Sequence, residues 1–183
     1  MTTKQQWMVV LSTVALLGGG AWVATRVLAD GLTSVAPGSE APGFIARSLD
    51  IAPKMKSLSN YRGDVVLLNL WATWCGPCRT EMPSMEALHR EYGSKGLRVV
   101  AVSVDQAGVE EQIRAFVREY ALTFEILHDD TGAIQAIYRT TGVPETFVIG
   151  RDGTIRKRVI GAEDWNSTAN RELIAQLLAE PAP

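Results

Sequence analysis

The sequence predicts an α/β fold built on a central sheet, and three observations carry that prediction. Val65-Val66-Leu67-Leu68-Asn69-Leu70 and the run from Leu97 to Val104 are nearly continuous apolar stretches rich in branched residues. Such runs suit strands covered on both faces. Between them Met82, Met85, Leu88 and Tyr92 recur at helical spacing. A helix therefore crosses over from the first strand to the second, a βαβ unit whose strands should be parallel. Finally, Cys75 and Cys78 fall where the first strand hands over to that helix.

Taken in order, the chain opens on a segment outside this domain. Trp7 to Thr25 is a run of 19 uncharged residues, 13 of them apolar, bounded by Lys4 and Arg26. A helix of that length rises ~28 Å, close to the ~30 Å of a bilayer's hydrocarbon core. Residues 1–29 are read as a membrane anchor, or as a signal segment if Val27-Leu28-Ala29 is a cleavage site. Residues 30–43, with two Pro and two Gly in Val35 to Gly43, read as a tether. The working domain is 44–183. It is expected outside the cytoplasm, tethered to the membrane, or secreted to the periplasm if the leader is removed.

Phe44 to Leu58 reads as short, irregular extended structure, ahead of the first buried strand. Beyond the second strand, Val109, Ile113, Phe116, Val117 and Tyr120 mark an amphipathic helix. Glu125 to Leu127 suits a short strand and Ala133 to Tyr138 a brief helix. Thr146 to Ile149 and Thr154 to Ile160 read as two strands joined by a turn at Arg151-Asp152-Gly153. Trp165, Leu173, Ile174, Leu177 and Leu178 give a closing helix. The order is βαβαβα with a ββα tail.

Composition narrows the chemistry. The 183 residues carry 18 Lys and Arg against 20 Asp and Glu, and only two Cys and two His. A net charge of −2 argues against a nucleic-acid partner. Arg156-Lys157-Arg158 is read as a solvated strand edge. Zinc needs two ligands beyond the cysteines, yet His89 lies about 16 Å along the same helix from Cys78. Haem attachment needs His directly after the second cysteine, where Arg79 stands. Iron–sulfur clusters need more thiolates, and a disulfide closing so small a loop stabilises little. No metal or cofactor is expected. A dithiol/disulfide redox couple remains.

The spacing supports it. Cys75 falls at a helix N-terminus, where free backbone N–H groups and the macrodipole favour a thiolate. Pro77 is tolerated in the first turn, whose N–H groups have no intrahelical partner. Cys78 lies almost one turn on, within reach of a mixed disulfide at Cys75, and is the more buried thiol. Cys75 is thus expected to attack and Cys78 to resolve.

Leu70-Trp71-Ala72-Thr73-Trp74-Cys75-Gly76-Pro77-Cys78, with Pro83 and Val143-Pro144, resembles thioredoxin. The stretches Cys78-Arg79-Thr80-Glu81-Met82-Pro83 and Gly142-Val143-Pro144-Glu145-Thr146-Phe147 resemble the membrane-anchored thiol–disulfide oxidoreductases of the TlpA/ResA/CcmG type. This resemblance covers about residues 38 to 180. It implies a thioredoxin fold, a central mixed sheet flanked by helices, with an N-terminal β-hairpin and a central αβ insertion from residues 105 to 131.

The resemblance also implies roles. Thioredoxin has a buried Asp six residues before its first cysteine, where this chain has Asn69; Glu81 is the replacement base for Cys78. The alternative for Glu81 is an exposed first-turn residue favoured by the helix dipole. Pro144 is implied to be cis, facing the cysteines, with the Val143 backbone pairing an extended substrate. Trp74, Gly76 and Pro77 would border that substrate, and Trp71 would pack in the core. Pro83 should kink its helix. Glu145 is read either as solvated or as taking part in substrate choice, and His89 and His128 as surface or satisfied residues.

The function expected is a monomeric protein thiol–disulfide oxidoreductase that reduces disulfides of extracytoplasmic proteins. The Gly-Pro dipeptide matches thioredoxin, near −270 mV, rather than the strong oxidant near −120 mV. Re-reduction would come from a membrane thiol–disulfide shuttle, and apocytochrome c is the best specific substrate by resemblance. Two other classes compete. A peroxiredoxin-like peroxidase needs Thr three residues before its nucleophile, and that position is Ala72. A non-catalytic binding module would tolerate loss of either cysteine.

Overall fold

A computed structural model describes residues 34–50 and 52–182. The expected anchor or signal segment, residues 1–29, lies outside the described residues. Among the described residues, no helix is long and apolar enough to cross a membrane.

The sheet has seven strands: β1 (Ile45–Ser48), β2 (Met55–Ser57), β3 (Val65–Trp71), β4 (Leu97–Ser103), β5 (Glu125–His128), β6 (Glu145–Ile149) and β7 (Ile155–Ile160). Their spatial order is β2-β1-β5-β4-β3-β6-β7. β3 runs parallel to β4, and β4 to β5, whereas β6 and β7 are antiparallel additions on the other side of β3. Every residue of β3 is buried, as its unbroken apolar run requires. The helices are α1 (Gly76–Tyr92), α2 (Glu110–Glu119), α3 (Ala133–Tyr138) and α4 (Thr168–Ala179).

Strand alternation sorts the core into two layers. Val65, Leu67 and Trp71 of β3 pack with Met82, Met85 and Leu88 of α1, Ile113 and Phe116 of α2, and Ile174 and Leu177 of α4. Trp71 is a core residue, with its ring 4.6 Å from that of Phe116. Val66, Leu68 and Leu70 face the opposite layer, formed with Phe147, α3 residues Ile134 and Tyr138, and the N-terminal Val35, Ala41 and Phe44. Asn69 shares the α1 face with Leu67 and Trp71, the one polar side chain in that row.

The segment from 105 to 131 supplies α2 and β5. β5 pairs with β4 on one side and with β1 on the other, so this segment joins the N-terminal hairpin to the sheet. Met55–Ser57 closes that hairpin against Ile45–Arg47.

Residues 35–43 depart from the expectation of a free tether. Gly38 N–H donates to Ile155 O, Ala41 N–H to Gly153 O, and Ile155 N–H to Ser39 O, which ties the segment to the start of β7. Val35 and Ala41 are buried. Pro and Gly here specify a turn, with Gly38 at φ +92°, and composition does not separate a turn from a linker. The basic run differs too. Arg156 pairs with Asp152 and Glu180, Lys157 with Glu163, and Arg158 with Glu145, so each cation has a carboxylate partner.

Candidate active site

β3 delivers the chain to the cysteines. After Trp71, residues 72–74 lead to Cys75, which caps α1 in an extended conformation (φ −83°, ψ 106°) and accepts the Cys78 N–H on Sγ at 3.1 Å. Cys75 and Cys78 form a disulfide with Cα atoms 5.3 Å apart. Pro77 sits in the first turn, where its missing N–H costs no intrahelical bond. Both sulfurs are covered: Cys75 is 3% and Cys78 0% exposed, a smaller difference than expected. Around them Gly76 and Pro77 are exposed, and Trp74 is 72% exposed. α1 continues through Pro83 to Tyr92.

The turn before Cys75 is held from β4. Asp105, just past the end of that strand, accepts from Thr73 N–H at 2.9 Å and from Thr73 Oγ1 at 2.8 Å. It also accepts from Ser103 Oγ at 2.7 Å. His128 is an interior residue and not a surface one: Nε2 lies 2.9 Å from Asp105 O, whereas buried Nδ1 makes no hydrogen bond and lies 3.8 Å from Glu110 Oε1, so the ring is only half satisfied. His89 is half-buried and lies edge-on to Phe124.

The Val143–Pro144 bond is cis. Leu70 of β3 pairs with Glu145 of β6, so Pro144 and Val143 continue alongside the end of β3 from which the cysteines emerge. Val143 is half-buried and packs against the core cluster that contains Ala72, Cys75 and Cys78. Pro144 O accepts from Gly161 N–H at 2.8 Å. Thus the sheet brings together two motifs almost 70 residues apart in the chain.

Glu81 is not the exposed first-turn residue of the alternative reading; it is 1% exposed. It follows Cys78 by three residues on α1, and both side chains belong to the buried face of that helix. Oε1 accepts from Asn69 Nδ2 at 2.8 Å, and the same amide donates to Thr146 Oγ1 at 2.8 Å. Oε2 accepts from Glu163 N–H and from Trp165 Nε1, each at 3.4 Å. Burial pushes its carboxyl up to about 7, against the lowering pull of those donors. A carboxyl in that range exchanges a proton near neutral pH.

Glu145 is neither solvated nor open to a substrate. It is 0% exposed and accepts from Arg158 Nε at 2.6 Å. β6 alternation turns it to the face opposite Thr146, so Arg158 neutralises it there while Thr146 meets Asn69.

Sequence reasoning did not single out Thr146, Asp105, Glu163 or Trp165 as parts of this site. Their contacts span 32 to 84 residues, and no local pattern marks them. The β3 alternation alone carried a signal, because it placed polar Asn69 on the helix face.

A family model described as AhpC/TSA family matches residues 37–158. The thioredoxin-like protein YneN of Bacillus subtilis is 38% identical over 158 residues, covering 86% of this chain and 91% of its own length. A thiol-disulfide oxidoreductase ResA of Geobacillus thermodenitrificans is 33% identical over 183 residues, 98% of this chain and 99% of its own. Among solved structures, one assigned as a thiol:disulfide interchange protein DsbE of Chlorobium tepidum superposes with a TM-score of 0.71 at 31% identity. The match spans 80% of this chain and all of that one.

Proposed function

This chain belongs to the AhpC/TSA family and is a thioredoxin-like thiol–disulfide oxidoreductase, and from that premise we propose that it reduces disulfides of extracytoplasmic proteins. The observation that carries the reading is the covered Cys75–Cys78 pair with a buried, near-neutral carboxyl, Glu81, one turn beyond Cys78.

In the proposed cycle the Cys75 thiolate attacks one sulfur of a substrate disulfide. That S–S bond breaks, a Cys75–substrate bond forms, and the other substrate sulfur leaves as a thiolate and takes up a proton. Glu81 then takes the Cys78 proton, and the Cys78 thiolate attacks Cys75 Sγ. The second substrate thiol departs and Cys75–Cys78 is left oxidised. Two electrons pass to the substrate, and a membrane thiol–disulfide shuttle returns them. Helix capping supports Cys75 as the nucleophile, because its sulfur already accepts a backbone N–H. Exposed Trp74, Gly76 and Pro77 and the half-buried Val143 beside cis-Pro144 form the surface assigned to an extended substrate segment.

Residues 7–25 would anchor the protein, with its domain on the outer face as a monomer. Apocytochrome c is the proposed substrate class, because haem attachment requires a reduced Cys-x-x-Cys-His pair. The test is Cys78→Ser in the native membrane, followed by identification of proteins covalently held on Cys75. Trapped proteins bearing Cys-x-x-Cys-His are expected. An empty trap would overturn the reductive reading, and trapped proteins lacking that motif would overturn the substrate assignment.

A further inference from the structure

We infer that Trp165 is a positioning residue for Glu81: its indole N–H, with the Glu163 backbone N–H, holds the carboxylate oxygen that Asn69 does not, and so sets how readily Glu81 takes up a proton. The inference rests on Glu81 acting as the base for Cys78.

Trp165 is fully buried and lies in the segment between β7 and α4. Its backbone N–H donates to Ser84 Oγ at 3.1 Å, and Ser84 Oγ donates to Glu81 O at 2.7 Å. The indole Nε1 then reaches Glu81 Oε2 at 3.4 Å, beside Glu163 N–H at the same distance. At its start the same segment donates Gly161 N–H to Pro144 O at 2.8 Å. Five residues thus brace both the cis-proline loop and the carboxyl behind Cys78.

Few charges face Glu81. β3 offers the neutral Asn69, which in turn holds Thr146 of β6. α1 carries Cys78 on the same buried face. The segment after β7 presents the Glu163 carboxylate, whose charge pushes the Glu81 carboxyl up. Lys157 of β7 lies 3.7 Å from Glu163 Oε1 and 5.5 Å over the Trp165 ring, which moderates that charge. In such a setting a donor aimed at Oε2 favours the ionised form, and the indole N–H has no other hydrogen-bond partner among the described residues.

The test is the pH dependence of the resolving step in the full-length protein, read as single-turnover release of a peptide thiol from the Cys75 mixed disulfide. Wild type should inflect near 7, and Glu81→Gln should lose that inflection. Trp165→Phe keeps an aromatic ring but removes the donor. Its inflection should move up by about half a unit to one unit, with the high-pH plateau within about twofold of wild type. A role in packing alone would lower the plateau and leave the inflection in place. An unmoved inflection in Trp165→Phe, with Glu81→Gln flat, overturns the inference and leaves the base assignment standing. An inflection retained in Glu81→Gln overturns both. Should the Phe variant fail to fold, Ser84→Ala releases the Trp165 backbone without touching the core. It should shift the inflection in the same direction, and no shift overturns the inference.

Discussion

Asn69 donates one amide hydrogen to Glu81 and the other to Thr146, both at 2.8 Å, from the middle of a strand buried on both faces. One side chain thereby joins β3, α1 and β6 behind the cysteines. Asn69→Ala should leave Glu81 Oε1 and Thr146 Oγ1 without that donor and cost about 1–3 kcal/mol for the buried acceptors. It should also raise the proton affinity of Glu81 further. Denaturant unfolding checks the first effect, and the carboxyl resonance of Glu81 across pH checks the second.

Stability should fall as pH rises through the range in which only the folded state keeps the Glu81 proton. The folded carboxyl sits near 7, above its ordinary value of 4.5. Between these values the unfolded chain has released the proton and the folded protein has not, so each pH unit erodes stability. Above 7 both states are ionised and the erosion stops. The shift corresponds to about 3 kcal/mol at most. Unfolding curves of Glu81→Gln between pH 4.5 and 8 should lack this component of the slope. The same slope in both proteins would refute it.

Arg158 and Glu145 make a second buried test. Glu145 is 0% exposed with Arg158 Nε 2.6 Å away, and the guanidinium also lies 5.4 Å over the Phe147 ring. Arg158→Ala strands a carboxylate in the core and should cost about 3–5 kcal/mol. Arg158→Ala with Glu145→Gln should recover a good part of that loss. Thermal unfolding of the two variants decides the matter.

How far the sequence could be read depends on whether the cause was local. The apolar runs read at Val65 to Leu70 and Leu97 to Val104 correspond to β3 (Val65–Trp71) and β4 (Leu97–Ser103), which form strands because those runs are covered on both faces, a cause the local pattern reports directly. The helix from Gly76 was legible from Met82, Met85, Leu88 and Tyr92 for the same reason. The cysteines and Val143-Pro144 were legible through motif resemblance, since their spacing is local even though their meeting is not. Glu81 was marked by that resemblance, but its burial was not, because Asn69, Glu163 and Trp165 reach it across the fold. Glu145 and Arg158 were misread for a related reason: on their strands a charged pair looks like two solvated residues until β6 and β7 are aligned. Residues 35–43 were misread because Pro and Gly serve turns and tethers alike, and only Ile155 and Gly153 decide between them.

The central claim is a two-step reduction in which Cys75 attacks and Cys78 resolves. It is tested most directly by mixing reduced protein with one equivalent of a peptide whose Cys-x-x-Cys-His pair is oxidised, then counting thiols and adducts by mass. Wild type should yield two peptide thiols and the Cys75–Cys78 disulfide. Cys78→Ser should stop with the peptide bonded to Cys75 and one thiol exposed, and Cys75→Ser should not react. Full release of reduced peptide by Cys78→Ser, or an adduct on Cys78 in place of Cys75, would contradict the account.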